Sequence, residues 1–256
     1  MLGNTETEFS LHLQNAMNRI KENRQASVNS TETNRYKCEK CKDTGWVVNG
    51  NNFTRCGCFE IKEAELIFEN SGIKDKSFTF TNFQEWNEAS KKMKDAAVQY
   101  YQAFSKIMSE RQNSLAFLGQ VGSGKTHLTV ALGLNILKTK KLPVVYFSYR
   151  DTITNIKQNM TDEEYYRKQI DKFQNAKVLL IDDMLKGKTT ESDKNIMFEI
   201  INYRYINRLP IIISSEYGIE DLLNFDEAIG SRIYEMCKDY LIEIDKTINN
   251  NFRLRP

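Results

Sequence analysis

Residues 114–126 read SLAFLGQVGSGKT, and this stretch decides the fold. Leu115 to Leu118 form a short apolar run with the length of a buried strand. It runs into Gly119-Gln120-Val121-Gly122-Ser123-Gly124-Lys125-Thr126, which fits G-x-x-x-x-G-K-S/T. Glycines at 119, 122 and 124 let the backbone curl so that successive N–H groups point at phosphate oxygens. The next stretch, THLTVALGLNILK, reads as a helix whose N-terminal dipole faces the same anion. Lys125 is then expected to reach the β- and γ-phosphates of ATP. Thr126 is expected to ligate Mg²⁺, a hard cation that prefers oxygen. His127 follows on the first helical turn, beside the loop, as a packing or supporting group. A glycine-rich turn that binds nothing is the competing reading, and the agreement of strand, loop and helix weighs against it.

A second element must sit beside that loop. VLLIDD, residues 178–183, ends a continuous apolar run on two carboxylates. Open α/β sheets bind ligands at the C-terminal ends of their strands. Asp182 is therefore expected to hold the magnesium through water, and Asp183 to orient or deprotonate the attacking water. From about residue 86 onward, apolar strands alternate with helical stretches. LAFLG, VVYFSY, VLLID and PIIISS alternate with THLTVALGLNILK, EEYYRKQIDKF and NIMFEIINYRYIN. The expected fold class is α/β, a parallel sheet with helices on both faces. A long helix over about 87–110 precedes it, and two short helices and a strand, YLIEI, follow.

Residues 1–72 have a different character. Cys38, Cys41, Cys56 and Cys58 cluster there, while Cys237 stands alone as a small core residue. Cys38-x2-Cys41-x14-Cys56-x-Cys58 offers four thiolates in two close pairs, the donor set tetrahedral Zn²⁺ takes. A redox dithiol and unligated core cysteines are the alternatives. The intervening DTGWVVNGNNF reads as a hairpin turning at Asn49-Gly50, with Trp46 and Phe53 packed inside the module. An amphipathic helix over about 6–24 precedes it, and a second over 61–72 ends at Gly72. The expected division is a zinc-binding, partner-binding module over 1–72 and an ATPase domain over 73–256.

The bulk numbers exclude several classes. With 36 basic against 34 acidic residues, the net charge of +2 gives no global attraction to nucleic acid, so any such site is a local patch. No stretch approaches the roughly 20 apolar residues that span a bilayer. The N-terminus lacks a basic segment followed by an apolar run, so no secretory signal is read there. A cytoplasmic protein is expected, and its reducing surroundings argue against a disulfide framework.

Taken as an ordered set, these pieces resemble the bacterial and phage helicase loaders of the DnaC/DnaI type, which are AAA+ ATPases. The matching residues are CEKCKDTGWV, FTFTNF, GQVGSGKTHL, VLLIDD, IINYRYINRLPIIISS, GSRIYEMC and the terminal FRL. The resemblance implies a protein that binds the replicative helicase through its N-terminal region and assists its placement on single-stranded DNA, self-associating on the helicase ring. It implies that Arg232 is an arginine finger reaching a neighbour's nucleotide, and that Arg253 is the sensor-2 arginine. Two departures stand out. The base is usually Glu in this family, and Asp183 is one methylene shorter. The sensor-1 strand commonly ends in Asn, whereas this chain has Ser214-Ser215-Glu216; a carboxylate would repel phosphate, so Ser215 is expected to carry the polar role. Transposition helper ATPases share the same core, and a nucleotide-gated adaptor with little hydrolysis is a third reading.

Overall fold

The computed structural model describes residues 36, 38–49, 52–56, 58, 59, 69–73 and 75–255. The expected helix at 6–24 and most of the one at 61–72 lie outside the described residues. The chain divides into two compact units, residues 1–60 and 61–256. The sequence-based boundary at residue 72 falls inside the second, where the Ser71 carbonyl accepts a hydrogen bond from the Tyr146 N–H at 2.7 Å.

The smaller unit is built on β1 (Trp46–Asn49) and β2 (Asn52–Arg55), antiparallel, with Asn49 opposite Asn52. That register leaves residues 50 and 51, outside the described residues, as the connection, one residue later than the Asn49-Gly50 reading. Side chains 46, 48, 53 and 55 share one face of this pair. Trp46 and Phe53 are each 43% exposed, which corrects the expectation that they pack inside the module. A two-stranded ribbon buries little, and among the described residues no second layer covers that face.

The larger unit is a five-stranded parallel sheet. Its strands are β3 (Leu115–Gly119), β4 (Val144–Ser148), β5 (Val178–Met184), β6 (Ile211–Ser215) and β7 (Leu241–Ile244), in the order β4-β5-β6-β3-β7. The phosphate-loop strand β3 is buried throughout, between β6 and β7. Continuous apolar runs were expected for strands covered on both faces, and β3, β5 and β6 are those strands.

Alternate residues feed two cores. Leu115, Phe117, Leu180 and Ile212 pack with α1 (Glu88–Ile107) and α2 (Lys125–Thr139). Leu118, Leu179, Ile181 and Ile213 face α3 (Tyr149–Gln158), α4 (Glu163–Asn175), α5 (Glu191–Ile206), α6 (Ile219–Phe225) and α7 (Glu227–Cys237). Helix α1 starts where the Asn87 side chain accepts from Ser90 N–H and Ser90 Oγ accepts from Asn87 N–H, a reciprocal cap. Its buried stripe, Met93, Ala97, Tyr100 and Phe104, follows the helical period. Among the described residues no helix is long and apolar enough to cross a membrane.

One buried charge ties the second core together. Arg204 is fully buried, and its Nη1 donates to the carbonyls of Phe173, Gln174 and Ala176, its Nη2 to that of Pro210. It satisfies the carbonyl groups at the end of α4 and at the start of β6 together. Burial lowers its pKa to about 9.

Candidate functional site

The loop after β3 is forced to be glycine by what surrounds it. Gly119, Gly122 and Gly124 all have positive φ, from 72° to 97°. A Cβ on Gly119 would lie 2.2 Å from the Ile244 carbonyl oxygen, and one on Gly122 would lie 2.1 Å from Asn251 Oδ1. Ser123 Oγ donates to the Gln120 carbonyl at 2.8 Å and Gln120 Nε2 to the Val121 carbonyl at 3.0 Å, which brace the turn. Val121 is exposed at its tip. Lys125 is buried, 5% exposed as a residue, and its ammonium donates to the carbonyls of Gly119 at 2.9 Å and Gln120. Burial lowers its pKa to about 8, against the pull of Glu216 and Asp183.

Strand parity brings the acidic strand to the same place. Tyr146, Asp182 and Ser214 lie on the α2 face of β4, β5 and β6, in phase with Leu180 and Ile212. All three meet at one carboxylate. Asp182 Oδ1 accepts from Thr126 Oγ1 at 2.8 Å and from Ser214 Oγ, and Oδ2 accepts from Tyr146 O–H at 2.7 Å. Burial first, then the bond to Asp182, pushes the Tyr146 phenol well up, so it stays a donor. Thr126 and Asp182 thus present two hard oxygen ligands side by side, the donor set that suits Mg²⁺.

Asp183 reaches the same cavity only because β5 bulges. The register passes from Ile181 opposite Ile213 to Met184 opposite Ser215, so Asp182 and Asp183 together oppose Ser214. Asp183 takes φ +55°, and its N–H donates to Ser214 Oγ at 3.0 Å. Its Oδ2 pairs with Lys186 Nζ at 2.7 Å, and Lys186 lies 3.4 Å from Glu216 Oε1. Ser215, by contrast, is on the opposite face of β6. Its Oγ is buried, donates to the Met184 carbonyl and accepts from Tyr217 N–H, so it braces the turn rather than facing the cavity. Glu216 lines the cavity instead.

The cavity encloses about 560 Å³, on the scale of a ligand pocket. Its polar lining is Lys125, Thr126, Asp182, Asp183, Lys186, Glu216 and Arg253, and its aromatic lining is Phe78, Phe83, Trp86, His127 and Phe252. The aromatic lining was not anticipated from sequence. His127 stacks on Phe78 with centroids 4.6 Å apart, and its Nε2 lies within hydrogen-bond distance of the Thr79 carbonyl and Asn82 Oδ1. It therefore anchors the FTFTNF connector against the loop. Asn87 Nδ2 donates to the Asn249 carbonyl and Asn250 Oδ1, and Phe252 N–H donates to the Gly122 carbonyl at 2.9 Å. These bonds fold the C-terminal segment over the phosphate loop, which sets Phe252 beside Trp86, their rings tilted with centroids 5.0 Å apart, and brings Arg253 into the cavity lining.

Arg232 is not among the residues lining this cavity. It lies on α7, donates to the Ala228 carbonyl at 2.7 Å, and rests over Phe198 and Tyr205.

In the smaller unit the four thiol sulfurs all lie within 4.8 Å of one another, and Cys41 and Cys56 are buried. Cys38 and Cys56 Sγ are 3.7 Å apart, and Cys41 and Cys58 Sγ 3.2 Å. A regular ZnS₄ tetrahedron with bonds of about 2.3 Å has sulfur–sulfur edges of about 3.8 Å. The backbone is wound to suit. Lys42 and Asp43 have positive φ, and Cys38 N–H donates to Asp43 Oδ1 at 3.0 Å.

Comparison with known proteins agrees with this geometry. Residues 74–237 match the family model of the bacterial DnaA ATPase domain. The phage-like element PBSX protein XkdC of Bacillus subtilis (strain 168) is 37% identical over 228 residues, covering 84% of each chain. YqaM of the same organism is 39% identical over 200 residues, covering 74% of this chain and 63% of its own. Among solved structures, the DnaC helicase loader superimposes with a TM-score of 0.57 at 26% identity, covering 66% of this chain and 97% of that one. AMPPCP-bound DnaA from Aquifex aeolicus gives a TM-score of 0.57 at 23% identity, covering 69% of this chain and 52% of that one, a likeness of fold.

Proposed function

The chain belongs to the bacterial DnaA ATPase-domain family of AAA+ proteins, and on that premise we propose that it is an ATP-hydrolysing loader of the replicative helicase onto single-stranded DNA. The carrying observation is the cavity itself, which is lined by phosphate-loop residues, a Thr126–Asp182 oxygen pair and aromatic side chains together. The likeness to the DnaC helicase loader and the cysteine cluster ahead of the ATPase unit support the loader reading over a transposition helper.

In this reading the loop N–H groups and Lys125 hold the phosphates of ATP. Lys125 exchanges its two carbonyl partners for phosphate oxygens. Thr126 and Asp182 hold Mg²⁺, which when bound neutralises phosphate charge. Ser214 and Tyr146 fix the Asp182 carboxylate so that it meets the ion without rearranging. Asp183 accepts a proton from the attacking water or orients it. The aromatic residues take the base, and Arg253 faces the phosphates. Arg232, away from its own cavity, acts on the nucleotide of a neighbouring subunit. The four cysteines hold one Zn²⁺ in the N-terminal unit that contacts the helicase.

A second reading, a nucleotide-gated adaptor that turns over slowly, is favoured by one observation: Asp183 is engaged by Lys186. Retention of a replicative helicase, but not a transposase, on immobilised protein tests the first reading. ATP turnover with and without single-stranded DNA separates it from the second. Failure to retain the helicase overturns the loader assignment.

A further inference from the structure

Three cations and three carboxylates line the cavity: Lys125, Lys186 and Arg253 against Asp182, Asp183 and Glu216. Asp182 accepts from Thr126, Ser214 and Tyr146, and Lys125 belongs to the phosphate loop, where it rests on the Gly119 and Gln120 carbonyls. Glu216 is the anomaly. It stands at the end of β6, where an anion-binding pocket gains from a neutral or positive group.

Lys186 resolves the anomaly. It sits on a tight turn directly after β5, where Leu185 and Gly187 both have positive φ and Lys186 N–H bonds the Asp183 carbonyl at 3.0 Å. The turn holds its ammonium between Asp183 Oδ2 at 2.7 Å and Glu216 Oε1 at 3.4 Å. An ammonium has three donors, and the two carboxylates engage two of them. The side chain is 44% exposed, so the ammonium remains reachable from the cavity.

We propose that Lys186 is a further cation, beside Lys125, that contacts the terminal phosphate of ATP and distinguishes it from ADP, with Glu216 as the positioning residue that holds the ammonium there. Residues 186 and 216 together then do the work of a polar residue at the end of β6, which explains why a carboxylate is tolerated there. The inference rests on the reading of the cavity as the ATP site.

The test is a double-mutant cycle on the full chain, read as affinity for Mg²⁺-AMPPCP and for Mg²⁺-ADP. Lys186→Met leaves Asp183 and Glu216 unpaired against the terminal phosphate. It is expected to weaken AMPPCP binding by about tenfold or more, the scale of a charge-assisted contact, while ADP affinity stays within about twofold. Glu216→Gln alone, which removes the anchor of Lys186 together with a like charge, is expected to weaken AMPPCP binding, by less than Lys186→Met does, and to leave ADP affinity unchanged. In the double variant, removing the Glu216 charge is expected to recover part of the loss. Equal loss of both nucleotides in Lys186→Met overturns the inference, because the lysine then only holds the turn. So does an unchanged AMPPCP-to-ADP ratio, or a double variant as weak as the sum of the singles. Wild-type protein that binds neither nucleotide overturns the ATP-site reading and the inference with it.

Discussion

The pH dependence of nucleotide binding follows from the burial of Lys125. Its ammonium sits on two carbonyls, the residue is buried, and desolvation lowers its pKa from 10.5 to about 8. Only the charged form offers phosphate a positive donor. With a pKa of about 8, about nine-tenths of the lysine is charged at pH 7 and about one-tenth at pH 9. The dissociation constant for Mg²⁺-nucleotide is therefore expected to rise about tenfold between pH 7 and pH 9, or about 1.4 kcal/mol. Stability runs the other way. A base whose folded pKa is depressed binds fewer protons folded than unfolded between about pH 8 and 10.5, so this group stabilises the free fold as pH rises through that window. Fluorescent-nucleotide titration at pH 7, 8 and 9 reads the first trend, and urea midpoints of the nucleotide-free protein read the second. Lys125→Ala, weaker than wild type by tenfold to a hundredfold at pH 7, should show no slope, so the gap to wild type narrows about tenfold by pH 9. A flat profile in the wild type, or the same slope in Lys125→Ala, refutes the assignment of the titrating group.

Three further outcomes are expected. Arg204→Met strands the carbonyls of Phe173, Gln174 and Ala176, while that of Pro210 keeps the Leu179 N–H; a loss of about 3 kcal/mol or more, a fall in Tm of about 6–12 °C, is expected by calorimetry, and a Tm within a degree of wild type refutes it. One Zn²⁺ per chain should appear by elemental analysis and disappear in Cys56→Ser together with protease resistance of the N-terminal unit; metal-free protein with that unit intact counts against the zinc centre. Arg232→Ala should keep nucleotide affinity and lose turnover, and mixing it with Lys125→Ala in the presence of helicase and single-stranded DNA should restore part of the activity; a dead mixture with confirmed assembly means Arg232 does not act on a neighbour.

Much of the architecture could be read from the sequence, for a reason that also explains what could not. Buried parallel strands demand continuous apolar runs, so LAFLG, VLLID and PIIISS announce themselves, and the glycine spacing places the phosphate loop between strand and helix. Parity holds a further signal: Ser214 is in phase with Ile212 and Leu180 toward α2, while Ser215 is in phase with Ile213 toward the other core. Counting in twos from the apolar residues chooses Ser214 only once it is known which core carries α2. The bulge in β5, which turns Asp183 toward Lys186 and Glu216, comes from one extra residue against β6 and has no local signature. The aromatic lining was hidden because Phe78, Trp86 and Phe252 come from distant segments. They are joined by the Asn87 bonds to Asn249 and Asn250 and the Phe252–Gly122 backbone bond. Arg204 reads as a surface charge on a helix until α4, β5 and β6 close around it.

Loading itself is the most direct test of the central claim. Cognate replicative helicase, closed-circular single-stranded DNA without free ends, and ATP are combined with and without this protein, and helicase bound to the circle is measured after gel filtration. Circle-bound helicase is expected to increase several-fold with the wild-type protein and to fall to the protein-free level with Lys125→Ala. Equal amounts of bound helicase with and without the wild-type protein would contradict it.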